Sequence, residues 1–115
     1  MLLLTNITND PNQQCTVVLP DNTRFILYLE YNALVSSWNY GVSYSVKNLN
    51  YLGQQLTNNL NLLNPFVNII NFGLLCEVTD GGNPWSKNDF IKQRVNLYLL
   101  NQNDLDIIGT IYNPN

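Results

Sequence analysis

The chain has 115 residues, of which 45% are hydrophobic and only 11% charged, and its net charge is −3. This length suits one domain with its own core, and five scattered Lys and Arg residues exclude a basic surface for nucleic acid. Histidine is absent, which excludes Ser-His-Asp and Cys-His nucleophile systems and imidazole metal ligands.

The first half of the chain predicts three strands joined by short turns. Residues 15–19 and 24–31 alternate apolar and polar side chains on either side of a Pro-Asp-Asn-Thr turn, which predicts a hairpin. Residues 38–47 alternate without a break, and Trp38 and Tyr40 begin the apolar face. A helix buries nothing with a period of two, so this segment indicates antiparallel β structure with a one-sided core.

Residues 49–63 carry two conflicting signals. Their leucines step by three and four, which is a helical spacing. Gly53, the four asparagines of the segment and Asn48 just before it oppose a helix, because each is less favourable than Ala by roughly 0.7 kcal/mol or more. We predict a fourth strand at 51–57, followed by an irregular segment that ends at Asn64-Pro65.

The second half predicts fewer and shorter strands. Residues 66–72 are apolar but interrupted by asparagine, and we expect them to be irregular or edge-like. Strands are predicted at 74–79 and 94–100, separated by a long turn-rich loop that carries Trp85. Residues 105–112 are predicted to add an edge strand.

These elements predict an all-β fold, either a small antiparallel β-barrel or a sandwich of six to seven short strands. We favour the barrel, because closure removes the exposed edges of strands rich in Leu and Tyr. The whole chain, 1–115, would be a single β domain. Residues 1–13 would form an N-terminal arm and residues 105–115 a C-terminal edge segment.

The sequence offers little catalytic or metal-binding chemistry. Glu30 and Glu77 could form a glycosidase-like carboxylate pair, but each alternates with core residues and should face water. Asp80 and Asp104 lie in fragments that resemble calcium loops, and turn formation explains both. We therefore expect no catalytic residue, no cofactor and no metal.

The two cysteines and the ends of the chain carry simple expectations. Cys15 and Cys76 fall on predicted strands, and we expect buried free thiols rather than a disulfide. Residues 1–4 are apolar but lack the basic residues and the length of a signal peptide. No stretch approaches the ~20 apolar residues that cross a bilayer, so no membrane segment is expected.

Three aromatic residues are candidates for contact with a partner. Tyr28 and Tyr98 alternate out of phase with their apolar neighbours and should lie on outer faces, where tyrosines often anchor interfaces. Trp85 lies in the Gly-rich loop, where it would either hold the loop or contact a partner. The remaining aromatics of the alternating strand, from Trp38 to Tyr44, are expected to fill the core.

The order of these landmarks carries a resemblance to a known family. A strand ends in Tyr31-Asn32, an aromatic alternating strand follows, an apolar strand starts after Gly73, and Pro84-Trp85 lies in a polar loop before the final Arg94 strand. Over roughly residues 14–104, this order resembles the baseplate plug proteins of contractile-tailed phages, including the cyanophage type. The family usually has Gly just before the final Arg strand and an Asp-Gly turn after the aromatic strand. This chain has Lys92-Gln93 and Asn48-Leu49-Asn50 at those places.

The resemblance implies a non-enzymatic structural virion protein that closes the end of the tail tube near the baseplate hub. Its partners would be hub, tube or spike subunits. It would be made in the host cytoplasm and located in the tail baseplate, where it could also form a homo-oligomer. The alternative is a carbohydrate-binding β module of a phage receptor-recognition apparatus, which would need exposed aromatics beside amide and carboxylate groups. A small hydrolase is a third reading, and the missing histidine opposes it.

Overall fold

The computed structural model describes residues 1–112, and the side chains of residues 1–109. Among these residues, seven strands form two antiparallel sheets, one in the order β2-β3-β4-β5 and one in the order β1-β7-β6. One α-helix follows the last of these strands within the described range. The elements are β1 (Leu2–Leu3), β2 (Asn12–Val18), β3 (Arg24–Asn32), β4 (Ser37–Tyr44), β5 (Leu49–Gln55), β6 (Gly73–Val78), β7 (Val95–Leu100) and α1 (Gln102–Tyr112).

The core lies between the two sheets and is built by the predicted alternation. From the larger sheet come Trp38, Tyr40 and Val42, and from the smaller sheet come Leu74 and Leu97, all buried. Connecting segments close the sides of this core with further apolar residues, namely Leu56, Leu62, Leu63, Ile70, Phe72 and Phe90. The predicted core role of the aromatic strand is therefore confirmed. Its alternation stops at Tyr44, because residues Ser45–Lys47 form a 3-10 turn and leave Val46 exposed.

The all-β class is confirmed in its sandwich form, and the preference for a barrel is wrong. Within residues 1–112, the two sheets do not join, because neither β5 nor β2 pairs with a strand of the smaller sheet. Residues 59–62 instead run along the outer edge of β6, where Asn59 and Cys76 exchange two backbone hydrogen bonds of 3.0 and 2.9 Å. A covering loop thus protects this edge without closing the sheet.

The predicted fourth strand is confirmed and begins two residues earlier, as β5 (Leu49–Gln55). The leucines that are spaced as in a helix lie in different elements. Leu52 lies on an outer face, and Leu56 and Leu63 enter the core from the irregular segment after β5. A short 3-10 turn, Asn64–Phe66, ends that segment at the predicted Asn-Pro position.

The edge strand predicted at 105–112 is wrong, because these residues belong to α1 (Gln102–Tyr112). Asn101 and Asp104 cap the helix reciprocally: the Asn101 side-chain oxygen accepts the Asp104 N–H at 2.9 Å, and the Asp104 carboxylate accepts the Asn101 N–H at 3.0 Å. Leu105 and Ile108 then pack on Leu100, on the outer side of the smaller sheet. Residues 113–115 of the predicted edge segment lie outside the described residues.

The N-terminal residues add a short strand that the sequence did not predict. Leu2 and Leu3 pair with Leu99 and Tyr98 of β7. The α-amino group of Met1 lies 3.1 Å from the carboxylate of Asp104, which links the start of the chain to the helix cap. Residues 1–13 therefore contain β1 and the first residues of β2.

Candidate interaction surfaces

The first candidate surface is the outer face of the larger sheet around Tyr28. Tyr28 of β3 pairs with Gly41 of the adjacent strand β4, and Glu30 pairs with Asn39. Because Gly41 has no side chain, these residues border a groove of about 370 Å³ rather than a flat sheet. Tyr28 is half-buried at this groove. The prediction that it lies on an outer face is confirmed.

A bulge in β5 forms the far wall of this groove. Leu52 and Gly53 together oppose Gly41, because the pairing register shifts between Tyr40 and Val42. Gly53 adopts a φ of +69°, which residues other than glycine rarely adopt. Leu52 consequently leans over Gly41, and a Cβ added there would lie 2.8 Å from the Leu52 Cδ2 atom. The sequence did not predict this arrangement, although its signal is the glycine in each of two neighbouring strands.

The second candidate surface is the outer face of the smaller sheet around Tyr98. Tyr98 lies between Leu3 of β1 and Leu75 of β6 in the pairing register, and it is half-buried there. Helix α1 covers the neighbouring part of the same face, where Leu105 packs on Leu100. The outer-face prediction for Tyr98 is therefore confirmed, with more cover from the chain itself than the alternation indicated.

The third candidate surface is the loop between β6 and β7, which presents Trp85. The indole is 58% exposed, and the guanidinium carbon of Arg94 lies 5.7 Å from its ring centroid. The backbone beneath it is tied to the core: Tyr31 donates a hydrogen bond to the Trp85 carbonyl at 2.9 Å, and Trp38 donates one to the Ser86 carbonyl at 2.9 Å. The loop is thus held by backbone contacts while the Trp85 ring stays accessible.

Asp89 holds this loop from inside. It is only 2% exposed, and one carboxylate oxygen accepts the N–H groups of Trp85 at 2.7 Å and Ser86 at 2.8 Å. Arg94 donates to the same oxygen at 3.1 Å and to Asp80 at 2.8 and 3.0 Å. The hydrogen bond from Arg94 holds the pKa of Asp80 below its ordinary value. The sequence suggested only a turn here. The sequence feature that could have indicated this arrangement is a loop with an aspartate at each end, followed by one arginine.

The three predicted contact residues do not form one surface. Tyr28 and Tyr98 lie on the outer faces of opposite sheets, and Trp85 lies in a loop bonded to the residues at the β3–β4 end of the larger sheet. Glu30 and Glu77 are likewise exposed on the outer faces of different sheets, so they do not converge as a carboxylate pair would.

Cys15 and Cys76 are both free, the first half-buried and the second buried. Burial raises the pKa of the Cys76 thiol to about 12. Among residues 1–112, no three His, Cys, Asp or Glu side chains gather as metal ligands would. In the same range, no helix has the length and apolar character needed to cross a bilayer.

The described residues define a small two-sheet β sandwich that carries aromatic side chains on both outer faces and on one loop. The chain belongs to the family described as the cyanophage baseplate Pam3 plug gp18, whose family model matches residues 2–102 of the 115. This match spans both sheets and the loop of Trp85, and it supports a structural role in a phage tail baseplate, in contact with other baseplate components. The resemblance inferred from the order of the strands is confirmed. No curated protein sequence matches the chain.

Proposed function

We propose that this chain is a non-enzymatic plug that closes the end of the tail tube beside the baseplate hub until the tail contracts. The family match over residues 2–102 is the observation that carries this proposal. The protein would be made in the host cytoplasm and incorporated into the baseplate during tail assembly. Its action is mechanical, because a rigid two-sheet module fills the channel and is held there by its surfaces.

Tyr28, Trp85 and Tyr98 are the proposed contacts with the surrounding hub, tube or spike subunits. They project from three separate surfaces, and a plug surrounded by neighbours needs contacts on several sides. Tyrosine and tryptophan supply large contact areas with a polar atom at the edge, which is why they are frequent at interface centres. Trp85 is the most accessible of the three.

The weak charge of the surface fits a contact that must later be released. Only 11% of the residues are charged, and Arg94 is already paired with Asp80 and Asp89 inside its own loop. Burying an ion pair between subunits carries a large desolvation penalty, and removing one partner leaves the other charge buried without compensation. Interfaces made of amides, hydroxyls and aromatic rings avoid both costs.

Co-purification tests this proposal directly. The tagged chain is expressed with the hub, tube and spike subunits of the phage that encodes it, and retained subunits are identified by mass spectrometry. We expect Trp85→Ala to weaken retention by roughly tenfold, which corresponds to about 1.4 kcal/mol. Tyr28→Ala and Tyr98→Ala should each have a smaller effect.

Val46→Ala is the matched control, because Val46 is 55% exposed in the 3-10 turn after β4, at the opposite end of that strand from Trp38, which holds the Trp85 loop. An equal loss with Val46→Ala, or retention of no tail subunit by the unmodified chain, would contradict the proposal. Turnover of a substrate by the purified chain would contradict its non-enzymatic part.

The groove beside Tyr28 favours a second candidate function, the binding of a carbohydrate. An aromatic ring, the carboxylate of Glu30 and the amides of Asn12 and Asn39 border this groove, and sugars are bound by such combinations. A glycan array with the unmodified chain and Tyr28→Ala separates the two functions. Glycan binding that Tyr28→Ala abolishes would favour the carbohydrate module, and an empty array would favour the plug.

A further inference from the structure

Strand β2 (Asn12–Val18) is an outer edge of the larger sheet and is the least protected edge among the described residues. The edge of β6 is covered by residues 59–62, β1 is only two residues long, and β5 is interrupted by its bulge. Natural proteins block sheet edges with cover, short length, bulges, proline or charge. Strand β2 contains no proline and no charged residue, since its sequence is Asn-Gln-Gln-Cys-Thr-Val-Val, and it pairs with β3 without a bulge over all seven residues.

The hydrogen-bonding groups on this edge can be assigned from the register. Tyr31 donates its N–H to the Pro11 carbonyl, and Leu19 donates its N–H to the Thr23 carbonyl. In an antiparallel pair the bonded positions alternate, so the odd-numbered residues of β2 direct their backbone groups toward β3. The even-numbered residues therefore direct theirs away from the sheet. Asn12 already donates its N–H to Asp10, which leaves the edge groups of Gln14, Thr16 and Val18 for a partner.

We propose that this edge binds the same edge of a second copy of the chain, as an antiparallel pair centred on Cys15. Hydrogen bonds across the new edge must join even-numbered residues. The register that pairs Gln14 with Thr16 of the second copy meets this condition. It also sets Asn12 opposite Val18, where the Val18 N–H can donate to the Asn12 carbonyl while the Asn12 N–H stays with Asp10. It joins the two four-stranded sheets into one continuous sheet. The inference concerns association alone and does not depend on closure of the tail tube.

The composition of β2 fits a second copy as the occupant. An antiparallel self-pair places each residue opposite another residue of the same strand, and like charges directly opposite would oppose it. Strand β2 has no charged residue, so the self-pair meets no repulsion. Val18 is 51% exposed at the end of the strand, and with Met1 and Leu2 it lines an apolar groove of about 550 Å³. The residues that precede β2 in the second copy would extend over this groove.

The same register places the two Cys15 residues directly opposite each other at a position without cross-edge hydrogen bonds. Opposed Cα atoms at such positions are about 4.5 Å apart, which lies within the range that a disulfide spans. Oxidation with copper–phenanthroline should therefore join two chains through Cys15, with the two thiols giving two protons and two electrons to the oxidant. Alkaline pH suits this experiment, because burial raises the pKa of the Cys15 thiol.

Three forms of the full chain are compared by non-reducing electrophoresis and analytical ultracentrifugation. The unmodified chain and Cys76→Ala should yield a cross-linked dimer, because Cys76 is buried in the core. Cys15→Ser should yield none while keeping the reversible dimer. A chain that sediments as a monomer at every concentration overturns the proposal, and a dimer that Cys15 does not cross-link overturns the register.

A charge exchange tests the register without relying on sulfur. The double substitution Gln14→Lys with Thr16→Lys sets lysine against lysine at two cross-edge pairs, and should weaken the dimer by roughly fivefold. Gln14→Glu with Thr16→Lys sets opposite charges at the same pairs and should leave the dimer at least as stable as the unmodified one. Equal weakening by both double variants would overturn the proposed pairing. So would an edge that binds only another baseplate subunit.

Discussion

At the scale of single residues, the loop that presents Trp85 depends on one buried carboxylate. Asp89 accepts two backbone N–H groups and the Arg94 guanidinium, whereas Asp80 shares the same arginine from an exposed position. A carboxylate that satisfies several donors in a buried place is hard to replace, because each donor left without a partner keeps its desolvation penalty. An exposed partner is replaced by water. The two aspartates should therefore respond very differently to substitution.

Asp89→Ala should lower the free energy of unfolding by about 3 kcal/mol, because two N–H groups and one guanidinium lose their buried acceptor. Asp80→Ala removes the exposed carboxylate on the other side of Arg94, where water can replace it, and should change stability little. Urea titration followed by tryptophan fluorescence measures both. Equal losses for the two variants would show that Asp89 is not the residue that holds the loop.

Gln93 carries a second test at this scale. Its φ is +58°, in the left-handed region that residues other than glycine, asparagine and aspartate avoid. The family that the sequence resembles usually has glycine just before the final arginine strand. Gln93→Gly should raise the free energy of unfolding by up to about 1 kcal/mol, since relief of backbone strain exceeds the entropy that glycine adds to the unfolded chain.

Asn48, with a φ of +51°, is the matched control for Gln93. Asparagine tolerates this conformation, so Asn48→Gly should leave the midpoint of thermal unfolding nearly unchanged. A loss of stability in Gln93→Gly would contradict the account of backbone strain.

At the scale of elements, the contact between β4 and β5 depends on the absence of a side chain at Gly41. A Cβ there would lie 2.8 Å from Leu52 Cδ2, 3.2 Å from the Leu52 Cα atom and 3.3 Å from the Tyr51 carbonyl oxygen. The first neighbour can rotate away, and the other two belong to the backbone of the bulge. The groove beside Tyr28 therefore exists because two strands approach closely at this point.

Gly41→Ala should destabilise the fold by about 1–3 kcal/mol, the usual range for forced overpacking. Leu52→Ala in the same chain should recover part of this loss, because it removes the nearest atom and leaves the backbone contacts. Calorimetry of the two single variants and the double variant measures the coupling. Strict additivity of the two losses would show that Leu52 does not pack on Gly41.

The elements also show what local sequence patterns can predict. The alternation from Trp38 to Tyr44 determines both a strand and its buried face, because a period of two has one structural reading. The alternation pattern did not predict helix α1, because the apolar stripe of the helix is short. Asn101 and Asp104 were the available signal, since Asn followed three residues later by Asp is typical of a helix N-terminal cap. The choice between barrel and sandwich depends on which distant edges meet, and the segment at 59–62 that covers β6 has no local signature. Similarly, no periodicity indicates that Arg94 would join Asp80 to Asp89.

At the scale of the whole molecule, the sandwich combines a rigid core with outer surfaces that differ in kind. Aromatic rings mark both outer faces and one loop, and β2 leaves one neutral edge open. Single exposed apolar residues are ordinary on a protein surface. Here they are arranged around a weakly charged β module, in a chain that belongs to the baseplate plug family. This arrangement supports the proposal that the protein is surrounded by other baseplate subunits. The outer face of the larger sheet, the covered face of the smaller sheet and the open edge would then have separate uses.

Cryo-electron microscopy of tails from the phage that encodes this chain would show whether it closes the end of the tube. In extended tails, we expect density for the two-sheet sandwich across the end of the tube beside the hub, with Trp85 against a neighbouring subunit. In contracted tails that density should be displaced or lost. A sandwich located on a fibre or on the outer rim of the baseplate, or one that keeps its place in both states, would contradict the role of a plug.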